Sequence, residues 1–357
     1  MDELIQELTE EAILLLKSLI ETPSLSKEEE KTADLIQGFL ERKGVSTFRK
    51  GNNIWAFSKN QKEHLPYILL NSHHDTVKPN AGFTKDPYKA LEEDGKLFGL
   101  GSNDAGGCLV SLIASFLFFN QQNLPFNLIL AATAEEEISG INGIESILPE
   151  LPEIELAIVG EPTLMQMAVA EKGLLVIDAT VKGKAGHAAR EEGENAIYKA
   201  LDDLNTIRNY QFKKISDLLG KSKVTATIIQ AGSQHNVVPD LCHYTLDVRV
   251  TDAYTLEEAL AELKTVLKAE LQPRSLRLNT SKVPEGHRIL EVGKKLNFHK
   301  YGSPTLSDQA LIPYPSVKIG PGDSSRSHTP DEFIYHYEIE EGIKGYIQIL
   351  ETYASFN

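Results

Sequence analysis

Four apolar runs of strand length, each leading to an acid or an imidazole, constrain this chain more than any other feature. YILLNSHHDTV (67–77) runs into His-His-Asp, NLILAATAEEE (127–137) ends in three glutamates, and ELAIVGEP (155–162) reaches Glu161 at its exit. PSVKIGPGDSSRSH (315–328) leaves its run by a Gly-Pro-Gly turn and a Ser-rich loop that ends at His328. Short apolar runs bounded by turn residues read as buried strands. In parallel α/β sheets, sites form outside the carboxyl ends of the strands, where all these groups fall. A solvated charge run accounts for any one of them but not for their shared placement, which is the pattern of a metal centre.

Within the first run, residues two apart share a face, so His73 and Asp75 point one way and His74 the other. A carboxylate beside an imidazole can fix its tautomer and raise its basicity, which makes His73 a candidate ligand and Asp75 its orienter. The bland alternative is a polar strand end facing water. Glu135, Glu136 and Glu137 beside a core strand repel one another unless a cation compensates them. Asp104 lies in GLGSNDAGGCLVSLIASFLFF (99–119), where a glycine-rich loop opens an apolar helix. The G-x-G resembles a dinucleotide loop only weakly, because Asp104 occupies the place of the third glycine and of the pyrophosphate. An isolated Asp there is equally well a helix N-cap.

At 357 residues the chain exceeds the size one core usually serves, so two domains are expected. With 41% hydrophobic and 24% charged residues it has the composition of a globular enzyme. A net charge of −15 argues against nucleic acid or an anionic membrane as partner. Cys108 and Cys242 read as reduced core residues rather than a disulfide framework. No stretch reads as long enough to span a bilayer, and the acidic start lacks the basic flank of a signal peptide, so a cytoplasmic protein is expected.

An amphipathic helix is expected up to about Glu21-Thr22-Pro23 and a second from about Lys27 to Lys43. Strand and helix then alternate to Lys172, as a doubly wound α/β sheet requires. From Gly173 the order is strand (LLVIDATVKG), helix (ENAIYKALDDLNTI), strand (KVTATIIQ), strand (HYTLDVRV), helix (TLEEALAELKTVLKAEL), strand (RSLRLN). That βαββαβ order is the ferredoxin-like layout of an inserted domain over 173–280. Residues 1–172 and 281–357 then form one catalytic domain, with further helices over Glu285–Leu296 and Glu338–Tyr353.

HHD, the glycine-rich loop with Asp104, T-A-E-E-E, G-E-P-T and the late S-H-T-P-D-E occur in the order found in the di-zinc amidohydrolases of the M20 peptidase family. The chain resembles that family over nearly its whole length, and within it acetylornithine deacetylases and their acetyl-lysine and succinyl-diaminopimelate relatives. The resemblance implies that His73, Asp104 and Glu161 hold one metal and Glu137, Asp104 and His328 the second, with Asp104 bridging. It implies Glu136 as general base, Asp75 behind His73, and His187 and Asn236 as oxyanion donors acting across a dimer interface through residues 173–280. It further implies Arg249 as a clamp for the substrate α-carboxylate, a task suited to a bidentate guanidinium. Read without the family, His187 is a surface residue, Asn236 a turn former and Arg249 a solvent-facing cation. The chain departs from the family pattern at Glu135, where many members have Asp, and at Leu100 and Gly106, where many have basic residues.

Two divalent cations, zinc first and cobalt or manganese next, suit a donor set without thiolate. Such a pair makes hydroxide available near neutral pH, and Glu136 would shuttle its proton. The expected function is hydrolysis of an N-acetyl or N-succinyl amino acid, such as N-acylornithine or N-acylcitrulline, in arginine biosynthesis. Acetyl-lysine deacetylase, succinyl-diaminopimelate desuccinylase and dipeptidase activities are alternatives. A non-catalytic metal-containing binding protein is another, and Glu136 argues against it, because a binder has no use for a free carboxylate beside a metal ligand. A glycosidase built on the paired glutamates would leave both histidines unused.

Overall fold

Alternation within the apolar runs builds the central sheet. In the strand Tyr67–His73, Ile68 and Leu70 enter one core while Leu69 enters the other; in Asn127–Thr133, Leu128 and Leu130 oppose Ile129 and Ala131 in the same way. Strands covered on both faces need side chains of this kind at every position. In this computed structural model, which describes residues 2–356, four parallel strands lie side by side in the order Asn127–Thr133, Tyr67–His73, Ile154–Val159, Ser316–Lys318. Their carboxyl ends therefore share one edge. The hairpin of Thr47–Lys50 and Asn53–Phe57 flanks them on one side and Met167–Glu171 on the other, both antiparallel, so the sheet is mixed.

The larger core is closed by helices Asp2–Ile20, Glu30–Arg42, Gly107–Phe119, Arg288–Lys295 and His336–Ala354, which contribute Leu16, Ile36, Phe116, Ile289 and Ile343 among others. The opposite face is covered by a shorter set that includes Ile144, Ile147 and Ile312. The first expected helix begins at Met1, which lies outside the described residues. One sequence expectation needs correcting here: the window Ser102–Phe119 does reach membrane-spanning length and hydropathy, yet 83% of it is buried. It is a core helix, and Ser111 and Ser115 donate hydrogen bonds to the carbonyls of Ile339 and Ile343 in helix His336–Ala354.

The chain divides into two compact units, one made of Met1–Val169, Lys282–Tyr301 and Ser307–Asn357, the other of Ala170–Ser281 and Gly302–Leu306. The strip Gly302–Leu306 thus groups with the second unit, where the sequence reading assigned it to the first. In the second unit the sheet runs Lys223–Ala231, Leu241–Val250, Gly173–Lys182, Glu270–Pro273, entirely antiparallel. Helix Ala196–Asn209 starts at Asn195, whose side chain accepts from the Ile197 N–H, and helix Leu256–Lys264 starts in a Thr255/Glu258 capping box.

The last strand differs from expectation. It is Glu270–Pro273 and not RSLRLN, and the preceding helix stops at Lys264. Leu271 is buried between outward-facing Glu270 and Gln272, a period-2 signal hidden inside a run of helix-forming residues.

Candidate active site

The shared sheet edge delivers the acids and imidazoles. His73 ends its strand with a ring only 1% exposed, and its Nδ1 donates to the carbonyl of Asp75 at 2.9 Å, with the Asp75 carboxylate behind it at 3.4 Å. That fixes Nε2 as the outward atom. It lies 3.2 Å from Asp104 Oδ1 and 3.9 Å from both Glu136 Oε2 and Glu161 Oε1. Across the cluster, His328 Nε2 sits 3.0 Å from Glu137 Oε2 and 3.7 Å from Asp104 Oδ2. Asp104 is therefore flanked by a histidine on each side. The donor atoms of His73, Glu136 and Glu161 all lie within 4.8 Å of one another, as do those of His73, Asp104 and Glu137. The first grouping carries Glu136 where the resemblance implies Asp104, and the second carries His73 where it implies His328.

Asp75 has a second task. Its Oδ1 accepts the Glu136 N–H at 3.0 Å, and its Oδ2 accepts the Glu137 N–H at 3.2 Å and the Ser26 hydroxyl at 2.7 Å. It thereby anchors the turn that presents both glutamates as well as backing His73. His74 faces away and is bonded by Thr32 Oγ1 and the Asn52 carbonyl, each at 2.9 Å. Burial pushes its pKa down to about 4, so it stays neutral.

Crowded carboxylates in a desolvated place hold their protons tightly. Burial, then the charge of Asp104, pushes Glu161 up to about 8, although Lys318 works against the rise. Burial also drives Glu136 well above the carboxylate range, with Glu161, Asp308 and Glu137 adding to the effect. Glu137 is raised by burial in spite of its bond to His328. His328 is lifted to about 9, chiefly by that bond, and His73 is raised because its carboxylate partners outweigh a large burial penalty. Oxygen and imidazole donors of this kind fit divalent cations, which would keep the carboxylates ionised and the imidazoles neutral.

Three buried acids around the cluster escaped the sequence reading. Asp308 accepts from Asn71 Nδ2 and Thr133 Oγ1, both at 2.8 Å, and so ties together the strands that end at His73 and lead to Glu136. Burial raises its pKa to about 6. Glu29 accepts the N–H groups of Lys27 and Glu135 and the Asn52 side chain, bracing the glutamate turn from behind. Glu332 accepts three backbone N–H groups of the Asp104 turn. The motif S-H-T-P-D-E contained Glu332, but no apolar run marks it.

The remaining candidates belong to the second unit. Gly186–His187 pairs antiparallel with Val237–Val238, and the Ala188 N–H donates to the Asn236 carbonyl at 2.9 Å, which places His187 and Asn236 together. The Ala189 N–H donates to His187 Nδ1 at 3.1 Å, so the neutral ring carries its proton on Nε2 and offers a donor there. Arg249 lies in strand Leu241–Val250, and its Nε and Nη2 already hold Asp247 at 2.9 and 3.0 Å.

Comparison with known proteins agrees with this architecture. Residues 169–275 match the family model described as the peptidase dimerisation domain of M20. Acetylornithine deacetylase of Proteus mirabilis is 28% identical over 379 residues, covering 96% of each chain. Succinyl-diaminopimelate desuccinylase of Corynebacterium glutamicum is 28% identical over 348 residues, covering 91% of this chain and 92% of its own. A dinuclear metal-binding M20 peptidase of Bacillus subtilis shares the fold with a TM-score of 0.75 at 17% identity, over 97% of this chain and 98% of that one. With an M20 dimerisation domain over residues 169–275, relatives that match it nearly end to end and a mixed α/β fold around a carboxylate–histidine cluster, the chain is similar to the M20 peptidases over almost its whole length and is a hydrolase acting on amide bonds.

Proposed function

We propose that this hydrolase releases a free amino acid from an N-acyl amino acid, with acetyl or succinyl as the acyl group and ornithine or citrulline as the amino acid, in arginine biosynthesis. The observation that carries the reading is the convergence of His73, Asp104, Glu137, Glu161 and His328 with a further, partly exposed carboxylate, Glu136, beside them. His73, Asp104 and Glu161 would hold one divalent cation and Glu137, Asp104 and His328 a second, zinc being favoured over cobalt or manganese by affinity. When bound, such a pair lowers the pKa of a shared water toward neutrality and polarises the amide carbonyl.

The chain's own groups supply the rest. Glu136 accepts the proton of the attacking water and returns it to the departing amine. Asp75 holds both His73 and the Glu136 N–H, so the base and a ligand are fixed by one carboxylate. The Nε2–H of His187 and the side chain of Asn236 would donate to the tetrahedral oxyanion. Arg249 would clamp the substrate α-carboxylate by exchanging Asp247 for it.

Within the second unit, His187 and Arg249 lie toward opposite ends of the four-stranded sheet. Lys182 pairs with Leu241 just ahead of the His187 hairpin, and Arg249 is eight residues farther along that strand, roughly 25 Å away. One copy of this unit therefore does not bring both to a single small substrate, which favours His187 and Asn236 acting in a second subunit. The edge strand Lys223–Ala231 suits that partner: Thr225 to Ala231 are all exposed, including Ile228 and Ile229, and an open edge of this kind is a template for pairing.

A panel of N-acetyl and N-succinyl amino acids, assayed after chelation and metal add-back, tests the reading. Activity should vanish with chelator and return at about two equivalents of metal. Glu136→Gln should bind metal as the parent does and lose about 10²–10⁴-fold in kcat. Full activity in the chelated protein would overturn the proposal, and the preferred substrate identifies the acyl group.

A further inference from the structure

The loop that supplies His328 also supplies Glu332 four residues later, and the two grip the same turn from different sides. Glu332 is 2% exposed. Its Oε1 accepts the N–H groups of Asn103 and Asp104, both at 2.8 Å, and its Oε2 accepts that of Gly101 at 3.0 Å. Three backbone donors converging on one anion are a nest, and they fix the main chain from which the Asp104 carboxylate projects. His328 meets that same carboxylate at 3.7 Å. The loop is itself held: the His328 carbonyl accepts from Asn80 Nδ2 at 3.2 Å, and Asp331 accepts the N–H groups of Thr84 and Lys85 at 2.8 and 2.9 Å.

We propose that Glu332 is a positioning residue that couples the Asp104 turn to the His328 loop and thereby sets the affinity of the second divalent cation. The inference rests on the two-cation reading above. Its asymmetry follows from which ligands the loop controls. The set of His73, Asp104 and Glu161 keeps two members on strand exits if the loop shifts, whereas the set of Glu137, Asp104 and His328 keeps only Glu137. Glutamine at this position retains one acceptor oxygen for Asn103 and Asp104, but turns an NH₂ toward the Gly101 N–H, donor against donor.

The test strips the full-length protein with chelator and titrates Co²⁺, followed by its visible absorption, and Zn²⁺, followed by calorimetry. For Glu332→Gln the first equivalent should bind within about threefold of the parent and the second about 10–100-fold more weakly. Glu332→Asp, which keeps the charge and loses one methylene of reach, serves if the glutamine variant does not fold, and should weaken the second site in the same sense. Ile349→Val, a change in the remote core, should lower Tm without moving either affinity. Parent-like binding of both ions by the Glu332 variants, or equal weakening of both, overturns the inference. A parent that takes up no second ion overturns the two-cation reading instead.

Discussion

Burial, together with neighbouring charge, raises the proton affinity of Glu136, Glu137 and Glu161, and the same crowding makes a signed prediction for the metal-free protein. Glu161 folds with its pKa raised from 4.5 to about 8, and His328 with its pKa raised from 6.5 to about 9. In both cases the native state holds its proton more tightly than the unfolded chain, so stability is present at low pH and is lost as pH rises through these windows. The Tm of chelator-treated protein should therefore fall between pH 6 and pH 9, while the metal-loaded protein stays nearly flat. A flat profile without metal would show that the carboxylates are not crowded as described. At this scale the sequence exposed the acids that follow apolar runs, because a charge beside a core strand stands out. Asp308, Glu29 and Glu332 lay hidden, since a buried acid that bonds only to backbone N–H groups or neutral side chains leaves no local pattern.

Strand exits carry His73, Glu136, Glu137 and Glu161, and the turns around them are tight. Gly320, just after the strand Ser316–Lys318, has no room for a side chain: a Cβ there would lie 2.7 Å from Cys108 Sγ, 2.7 Å from the Glu161 carbonyl and 2.8 Å from the Tyr346 hydroxyl. Gly320→Ala should cost about 1–3 kcal/mol in denaturant unfolding. Because one of those contacts belongs to Glu161, metal affinity should fall with it, and an unchanged affinity would mean that the turn yields elsewhere. The parallel strands were legible as apolar runs, and the ferredoxin-like order as alternating strand and helix patterns. The final strand was not, because LKAELQ favours helix by composition and becomes a strand only by pairing with Gly173–Lys182. Tertiary pairing decided that segment against its local propensity.

For the molecule as a whole, the separation of His187 from Arg249 along one sheet would, on the proposed roles of these residues, make a second subunit part of the chemistry. Mixing His187→Ala with Glu136→Ala subunits should restore activity in the heterodimer, since one of its two sites then has an intact Glu136 and receives an intact His187. Two inactive parents giving an inactive mixture, despite confirmed exchange, would return His187 to a role within its own chain. The helix Gly107–Phe119 carries a last consequence, for biosynthesis. Its apolar surface is completed by a partner more than two hundred residues downstream, in His336–Ala354. On the ribosome, that surface emerges long before its cover is made, so it stays open until the distant helix is synthesised, and products cut short between the two expose a greasy rod prone to aggregation.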